Sequence, residues 1–68
     1  MNGFKQIEMK LKKWICLKDC YLLDEDVILF KKRKTYEQVH KGWAGSVDER
    51  GDNRGFGKLE KYFQELPE

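Results

Sequence analysis

Two cysteines and a single histidine are the residues of this 68-residue chain whose types suggest metal chemistry. Cys16 and Cys20 are separated by three residues, and His40 is the third candidate ligand. A structural zinc site needs four ligands, commonly in two pairs, so a carboxylate or another chain would have to supply the fourth. We therefore predict no metal and no cofactor. Cys16 is expected to be a small core residue and Cys20 a loop or edge residue.

Catalytic chemistry has equally little support in the sequence. His40 could act as a general base, but a base needs a group to activate, and Ser46 is the only serine. The acidic run 24–26 lacks the spacing and the glycine of a calcium-binding loop, so we expect a solvated acidic turn. We predict that the protein is not an enzyme and has no small-molecule substrate, with His40 on the surface at a strand end.

The strongest charge feature is a run of four adjacent cations, Lys31, Lys32, Arg33 and Lys34. Together with Lys41 and nearby rings it could hold phosphates while a ring stacks on a base. If the run is a strand, its side chains alternate between faces and at most two share a surface, unless the segment is a loop. The alternative role is a lysine-rich edge that discourages strand-to-strand aggregation.

Trp43 is the candidate anchor for a protein partner. It is flanked by Gly42, Ala44 and Gly45, so it has few bulky neighbours in sequence. An exposed tryptophan in such surroundings is a plausible centre of an interface. The alternative is that Trp43 folds back across the mouth of the domain.

The elements that must position these residues are short strands separated by glycine-marked turns. Strands are favoured by the apolar runs at 14–17 and 27–30, by the segment 35–40 and by a hairpin over 46–56. The helical spacing of the apolar residues within 58–66 favours a closing helix. Nine aromatic rings give a short chain enough area for a core, which we expect from six of them. These six are Trp14, Phe30, Tyr36, Phe56, Tyr62 and Phe63. The pattern predicts a mainly β fold, a small SH3-like five-stranded barrel with a short C-terminal helix.

One domain over residues 9–68 is the largest unit that the chain allows, and residues 1–8 are expected to be a flexible or helical N-terminal extension. Residues 1–41 carry a charge of +4 and residues 42–68 a charge of −2, which could steer an anionic partner to the first half.

No apolar run approaches the roughly 20 residues of a membrane span, so we predict no membrane partner. A cytoplasmic location follows as an expectation, and with it reduced thiols, although a Cys16–Cys20 disulfide is geometrically feasible.

The chain contains three short motifs, Phe30-Lys31-Lys32-Arg33-Lys34-Thr35-Tyr36-Glu37, Asp48-Glu49-Arg50-Gly51 and Leu59-Glu60-Lys61-Tyr62-Phe63. Together they resemble a pattern of small proteins from bacteriophages and prophages of Gram-positive hosts. The resemblance covers roughly residues 9–66 and implies an SH3-like barrel of phage-related origin, without any activity. Arg33 stands where such proteins have glycine, so we expect a turn that depends less on positive φ.

These observations predict a non-catalytic binding module that binds and modulates a host protein. Its partner-binding residues would be Lys31, Lys32, Arg33, Lys34, Lys41 and Trp43. Nucleic-acid binding through the basic run is the alternative, and the sequence leaves the oligomeric state open.

Overall fold

The computed structural model describes residues 10–23 and 26–67, and their fold is mainly β. The described residues contain seven short strands and one 3-10 helix. None of these residues belongs to a helix long and apolar enough to cross a membrane. In chain order the elements are β1 (Lys13–Cys16), β2 (Cys20–Tyr21), β3 (Ile28–Phe30), β4 (Thr35–Glu37), β5 (Gly45–Val47), β6 (Asn53–Gly55), the 3-10 helix (Gly57–Tyr62) and β7 (Phe63–Glu65). The predicted extension 1–8 and the acidic residues Asp24 and Glu25 lie outside the described residues.

The strands pair in three small antiparallel sheets, β4-β1-β7, β2-β3 and β5-β6. β1 is the central strand of the largest sheet, where Trp14 lies opposite Tyr36 on one side and Glu65 on the other. Within residues 10–23 and 26–67 the strands do not close into a barrel. The prediction of a mainly β fold is therefore confirmed. The described strands are more numerous and shorter than the strands of the predicted five-stranded barrel would be.

The core is built around a cluster of aromatic rings, most of which meet edge to face, while Phe56 and Phe63 stack with centroids 3.8 Å apart. Phe30 is fully buried and packs in T-shaped geometry against Tyr36, Phe56 and Phe63, with centroids 4.9 to 5.5 Å apart. Such pairs each add about 0.5–1.5 kcal/mol beyond the burial of their area. Five of the six predicted core aromatics are buried as expected, and Tyr62 is half-buried against the cluster. The core is what allows so short a chain to hold its loops in place.

The predicted C-terminal helix is wrong in both type and extent. Residues 57–62 form a 3-10 helix, and the chain then extends as β7, where Phe63 lies opposite Cys16 of β1. β7 pairs with the edge of β1 that lies opposite β4. This pairing fixes Phe63 in an extended conformation and overrides the helical spacing of the apolar residues. The two-residue strand β2 was not predicted, whereas β1, β3 and the β5-β6 hairpin lie where the sequence places them.

The β5-β6 hairpin is closed by a buried carboxylate. Asp48 accepts hydrogen bonds from the backbone amides of Arg50 and Asp52 and from Nε of Arg54, while Gly51 supplies a φ of 89° at the tip. Burial alone would raise the pKa of the Asp48 carboxyl, but the hydrogen bonds from Arg54 and the two amides outweigh it and lower the pKa. This hairpin supports the segment that carries Trp43.

Candidate partner-binding site

The basic run lies in the turn that joins β3 to β4, and all four of its side chains are exposed. We call residues 31–34 the basic turn. The limit of two cations on one surface applies to a strand, and the segment is a turn, which is the exception expected from the sequence. The four exposed cations therefore lie on consecutive residues of one turn.

Backbone hydrogen bonds hold the basic turn against the end of β1. The amide of Arg33 donates to the carbonyl of Cys16 at 2.7 Å, and the Cys16 amide donates to the carbonyl of Lys34 at 3.0 Å. The Lys32 amide donates to Oδ1 of Asp19 at 2.7 Å. Arg33 has a φ of 71°, so the expectation that this turn depends less on positive φ is wrong. The arginine adopts the left-handed conformation at a cost of roughly 1–2 kcal/mol, which these hydrogen bonds offset.

Lys34 is the member of the basic turn whose charge is engaged within the protein. Its Nζ lies 2.6 Å from Oε2 of Glu49, and the same oxygen accepts a hydrogen bond from the Tyr36 hydroxyl at 2.7 Å. These two donors lower the pKa of Glu49, whereas burial and the bond to Glu49 raise the pKa of Tyr36. Lys34 therefore fixes the β4 edge to the β5-β6 hairpin, and the cations available to a partner are Lys31, Lys32 and Arg33.

Trp43 is half-buried in the loop between β4 and β5 and packs on the hairpin. Its ring lies beside Gly45 and Gly55, which face each other across β5 and β6, and a Cβ on Gly45 would come within 2.8 Å of its Cη2. The His40 ring stacks on Trp43 with centroids 5.0 Å apart and planes 10° apart. The two paired glycines leave room for the indole, so Trp43 is held in a defined position and keeps part of its ring accessible.

The accessible part of Trp43 lines an open groove of about 500 Å³ against β1 and β7, which we call the tryptophan groove. Its apolar lining comes from Trp14 and Trp43 with Ala44. Its charged lining residues are Lys12, Lys41, Glu60 and Glu65. Lys12 and Glu65 form an exposed ion pair at 3.6 Å, whereas neither Lys41 nor Glu60 belongs to any of the three ion pairs of the described residues.

Gln38 forms the polar floor of the groove and ties its two sides together. Its side-chain oxygen accepts from the Lys12 amide at 3.0 Å, and its side-chain amide donates to the carbonyl of Trp43 at 3.1 Å. The side chain is buried, so both bonds are shielded from water and stabilise the groove more than exposed bonds would. A second depression of about 540 Å³ along β4 and β5 includes no tryptophan in its lining.

The structure divides the six predicted partner-binding residues into two groups. The basic turn precedes β4, whereas Lys41 and Trp43 lie in the loop that follows it, at the opposite end of that strand. The prediction missed Trp14, Gln38 and Glu60 as groove residues. The spacing of Gln38 was the available signal: two residues after Tyr36 in a predicted strand it shares the face of a ring expected in the core, and a polar side chain buried there needs partners nearby.

The other candidate residues have structural roles. His40 is exposed, as predicted, and its ring stacks on Trp43; Ser46 is buried and donates to the Glu37 carbonyl at 2.7 Å. Cys16 is a core residue, as predicted, and Cys20 lies in β2, an edge strand of the two-stranded β2-β3 sheet, which is one of its two predicted placements, with its side chain buried. Among residues 10–23 and 26–67, no three histidine, cysteine or acidic side chains converge as metal ligands would.

Comparison of the chain with protein families, with curated proteins and with solved structures finds no match in any of the three.

Proposed function

We propose that the protein is a non-catalytic binding module that binds and modulates a protein of its host through the tryptophan groove. The observation that carries the proposal is the placement of Trp43, which His40 and the paired glycines hold beside the groove while part of the indole stays accessible. A rigid aromatic side chain loses little conformational entropy on binding, which is why tryptophan is enriched at the centres of interfaces.

The chemistry of the groove defines the kind of partner. The accessible apolar surface comes mainly from Trp43, because Trp14 is a core residue that is only 7% exposed. Lys41 and Glu60 add one charge of each sign that is not used within the described residues. A volume of about 500 Å³ that is open to solvent suits a few side chains of a larger molecule. The expected partner is therefore a protein segment that presents a large apolar side chain between charged residues of opposite sign.

The SH3-like barrel is part of this proposal. Its support is the arrangement of very short antiparallel strands around one aromatic core, together with the side-chain bonds that join β4 to the β5-β6 hairpin through Glu49 and Ser46. The motifs that resemble small proteins of phages of Gram-positive bacteria supply the class of partner, a protein of the bacterial host.

Three variants and one control test the proposal by affinity capture from a nuclease-treated lysate of a Gram-positive host. Trp43→Ala removes the anchor, and Lys41→Glu and Glu60→Lys reverse the two groove charges. Lys58→Glu reverses an exposed charge outside the groove and serves as the control. A protein captured by the wild type and the control, and reduced at least tenfold in all three groove variants with unchanged circular dichroism, supports the proposal.

If Trp43→Ala unfolds the domain, the two charge variants carry the test alone. Capture of the same protein by every variant would overturn the proposal, since the partner would then bind elsewhere.

Nucleic-acid binding through the basic turn is the second candidate function. One observation favours it: Lys31, Lys32 and Arg33 are exposed on consecutive residues of one turn and are not engaged in ion pairs of the described residues. Two observations weigh against it as the main function. Trp43 lies at the other end of β4, and Tyr36 is buried, so the predicted combination of cations and a stacking ring is not assembled at one place.

Salt dependence tests this second candidate. Binding of a single-stranded oligonucleotide through three cations should weaken with a slope of about −2 in a plot of log K against log salt, from about −0.7 for each phosphate neutralised. The triple variant Lys31→Glu, Lys32→Glu, Arg33→Glu should abolish that binding and leave the capture of a protein through the tryptophan groove unchanged. Oligonucleotide binding that is absent at low salt would exclude this function.

A further inference from the structure

The two cysteines form a pair of buried thiols directed at the same backbone atom. The Cys16 thiol donates to the carbonyl of Lys18 at 3.0 Å, and the Cys20 thiol donates to the same oxygen at 3.2 Å. Their sulfurs are thus within the sum of those two distances of each other. Both thiols are free in the structure, with Cys16 fully buried at the end of β1 and Cys20 3% exposed in β2.

The segment between the two cysteines gives the pair a route to solvent. Leu17, Lys18 and Asp19 are exposed and belong to no strand. A small opening of this three-residue connection would expose the sulfur of Cys20 without displacing the central strand. The pair therefore combines closely placed, buried sulfurs with an exposed connection whose opening would admit a small oxidant.

We propose that Cys16 and Cys20 are a redox-active dithiol that closes to an intramolecular disulfide when the protein meets a low-molecular-weight disulfide such as oxidised glutathione. The Cys20 thiolate attacks one sulfur of that molecule, breaks its S–S bond and releases one thiolate. The Cys16 thiolate then attacks the Cys20 sulfur and releases the second thiolate. The two protons lost by the cysteines pass to the two released thiolates, so two electrons move from the cysteine pair to the oxidant and the small disulfide becomes two thiols.

The reaction should be slow. Burial, reinforced by the Cys16 thiol, raises the pKa of Cys20 to about 11, so little thiolate is present at neutral pH. A pair of this kind responds to sustained rather than brief oxidation.

Closure of the disulfide would act on the basic turn. The Cys16 carbonyl accepts from Arg33 and its amide donates to Lys34, while Asp19 accepts from the Lys32 amide. The connection spanned by the disulfide thus supplies three of the hydrogen bonds that position the cations. Oxidation is expected to change the geometry of the basic turn and to leave the β5-β6 hairpin as it is.

The test is incubation of the folded protein with excess oxidised glutathione, followed by denaturation, trapping of free thiols with N-ethylmaleimide and measurement of the intact mass. The expected product is a monomer lighter than the reduced chain by two hydrogen atoms, with no maleimide adduct. The matched control is Cys20→Ala, chosen because Cys16 is fully buried in the core. It should retain one thiol that is recovered as a maleimide adduct or a stable glutathione adduct.

A second readout locates the effect. Amide resonances of Lys32, Arg33 and Lys34 should shift on oxidation while those of Gly51 and Asp52 stay in place. Retention of glutathione on the wild-type chain, disulfide-linked dimers, or loss of the thiols only after a denaturant is added would each overturn the proposal.

Discussion

Arg54 donates a 2.8 Å hydrogen bond from Nε to Oδ2 of Asp48, whose side chain is completely shielded from solvent at the base of the β5-β6 hairpin. The other carboxylate oxygen accepts two backbone amides of the hairpin turn. All three donors converge on one buried charge, so the hairpin that supports Trp43 depends on a single side chain. Loss of the Asp48 carboxylate would leave its three donors without this acceptor in a poorly solvated place.

Asp48→Asn should therefore destabilise the protein by about 2 kcal/mol, because the side-chain amide would face the Arg54 guanidinium with a donor where an acceptor is needed. Urea denaturation followed by tryptophan fluorescence measures the change. Asp52→Asn is the matched control, since Asp52 is exposed and contributes its backbone amide, which the substitution retains. Equal stability of the Asp48 variant and the wild type would contradict this role of Asp48.

Acid should unfold the protein through the same carboxylate and Glu49. Both pKa values are lowered in the folded state, so the stabilisation is fully present above the ordinary values of 3.8 and 4.5 and is lost as the pH falls below them. Thermal melts between pH 7 and pH 2.5 should show a steep decline below about pH 4.5. The decline should be shallower in Asp48→Asn, and parallel curves for the two proteins would contradict the assignment.

Arg33→Gly is expected to stabilise the protein slightly. Glycine removes the roughly 1–2 kcal/mol cost of a left-handed arginine, and the greater freedom of the unfolded chain offsets roughly half of that gain, leaving about 0.5 kcal/mol. Lys32→Gly is the control, because Lys32 does not have a positive φ and should lose stability. A destabilised Arg33→Gly variant would show that the arginine side chain makes a contribution larger than its backbone strain.

The two glycines beside Trp43 should respond differently to alanine. A Cβ on Gly45 would lie 2.6 Å from the Arg54 carbonyl oxygen and 2.8 Å from the Trp43 ring, whereas a Cβ on Gly55 would first meet Trp43 at 3.5 Å, an ordinary contact. Gly45→Ala should cost about 1–3 kcal/mol and displace Trp43, and Gly55→Ala should be close to neutral. Differential scanning calorimetry compares the two, and similar losses would contradict the tight packing at Gly45.

The fold was predictable where apolar runs and glycine turns agreed, as in β1, β3 and the β5-β6 hairpin. It was not predictable at the C-terminus, because the spacing of Leu59, Tyr62 and Phe63 suits a helix and only the pairing of Phe63 with β1 selects a strand. β2 was not predicted, because a strand of two residues is too short to show an alternation of apolar and polar side chains.

Only part of the candidate site was predictable from the sequence, because Trp14, Gln38 and Glu60 were missed and the grouping of the residues was not foreseen. Trp43 and Lys41 were identified from local composition, but the separation of the basic turn from them depends on the direction of β4. The role of Trp14 in the groove arises because β1 lies next to β4 and β7, a contact between segments distant in sequence.

Site-specific photocrosslinking tests most directly whether the tryptophan groove binds a host protein. Benzoylphenylalanine is introduced at position 65, where the exposed Glu65 lines the groove and is not one of the two charges assigned to the partner, and in a second protein at position 32, in the basic turn. Both are irradiated in a nuclease-treated lysate of a Gram-positive host. We predict one protein crosslinked from position 65, absent when Trp43→Ala or Glu60→Lys is added, and no such product from position 32. A product from position 32 alone, or one from position 65 that persists in both groove variants, would contradict the proposal.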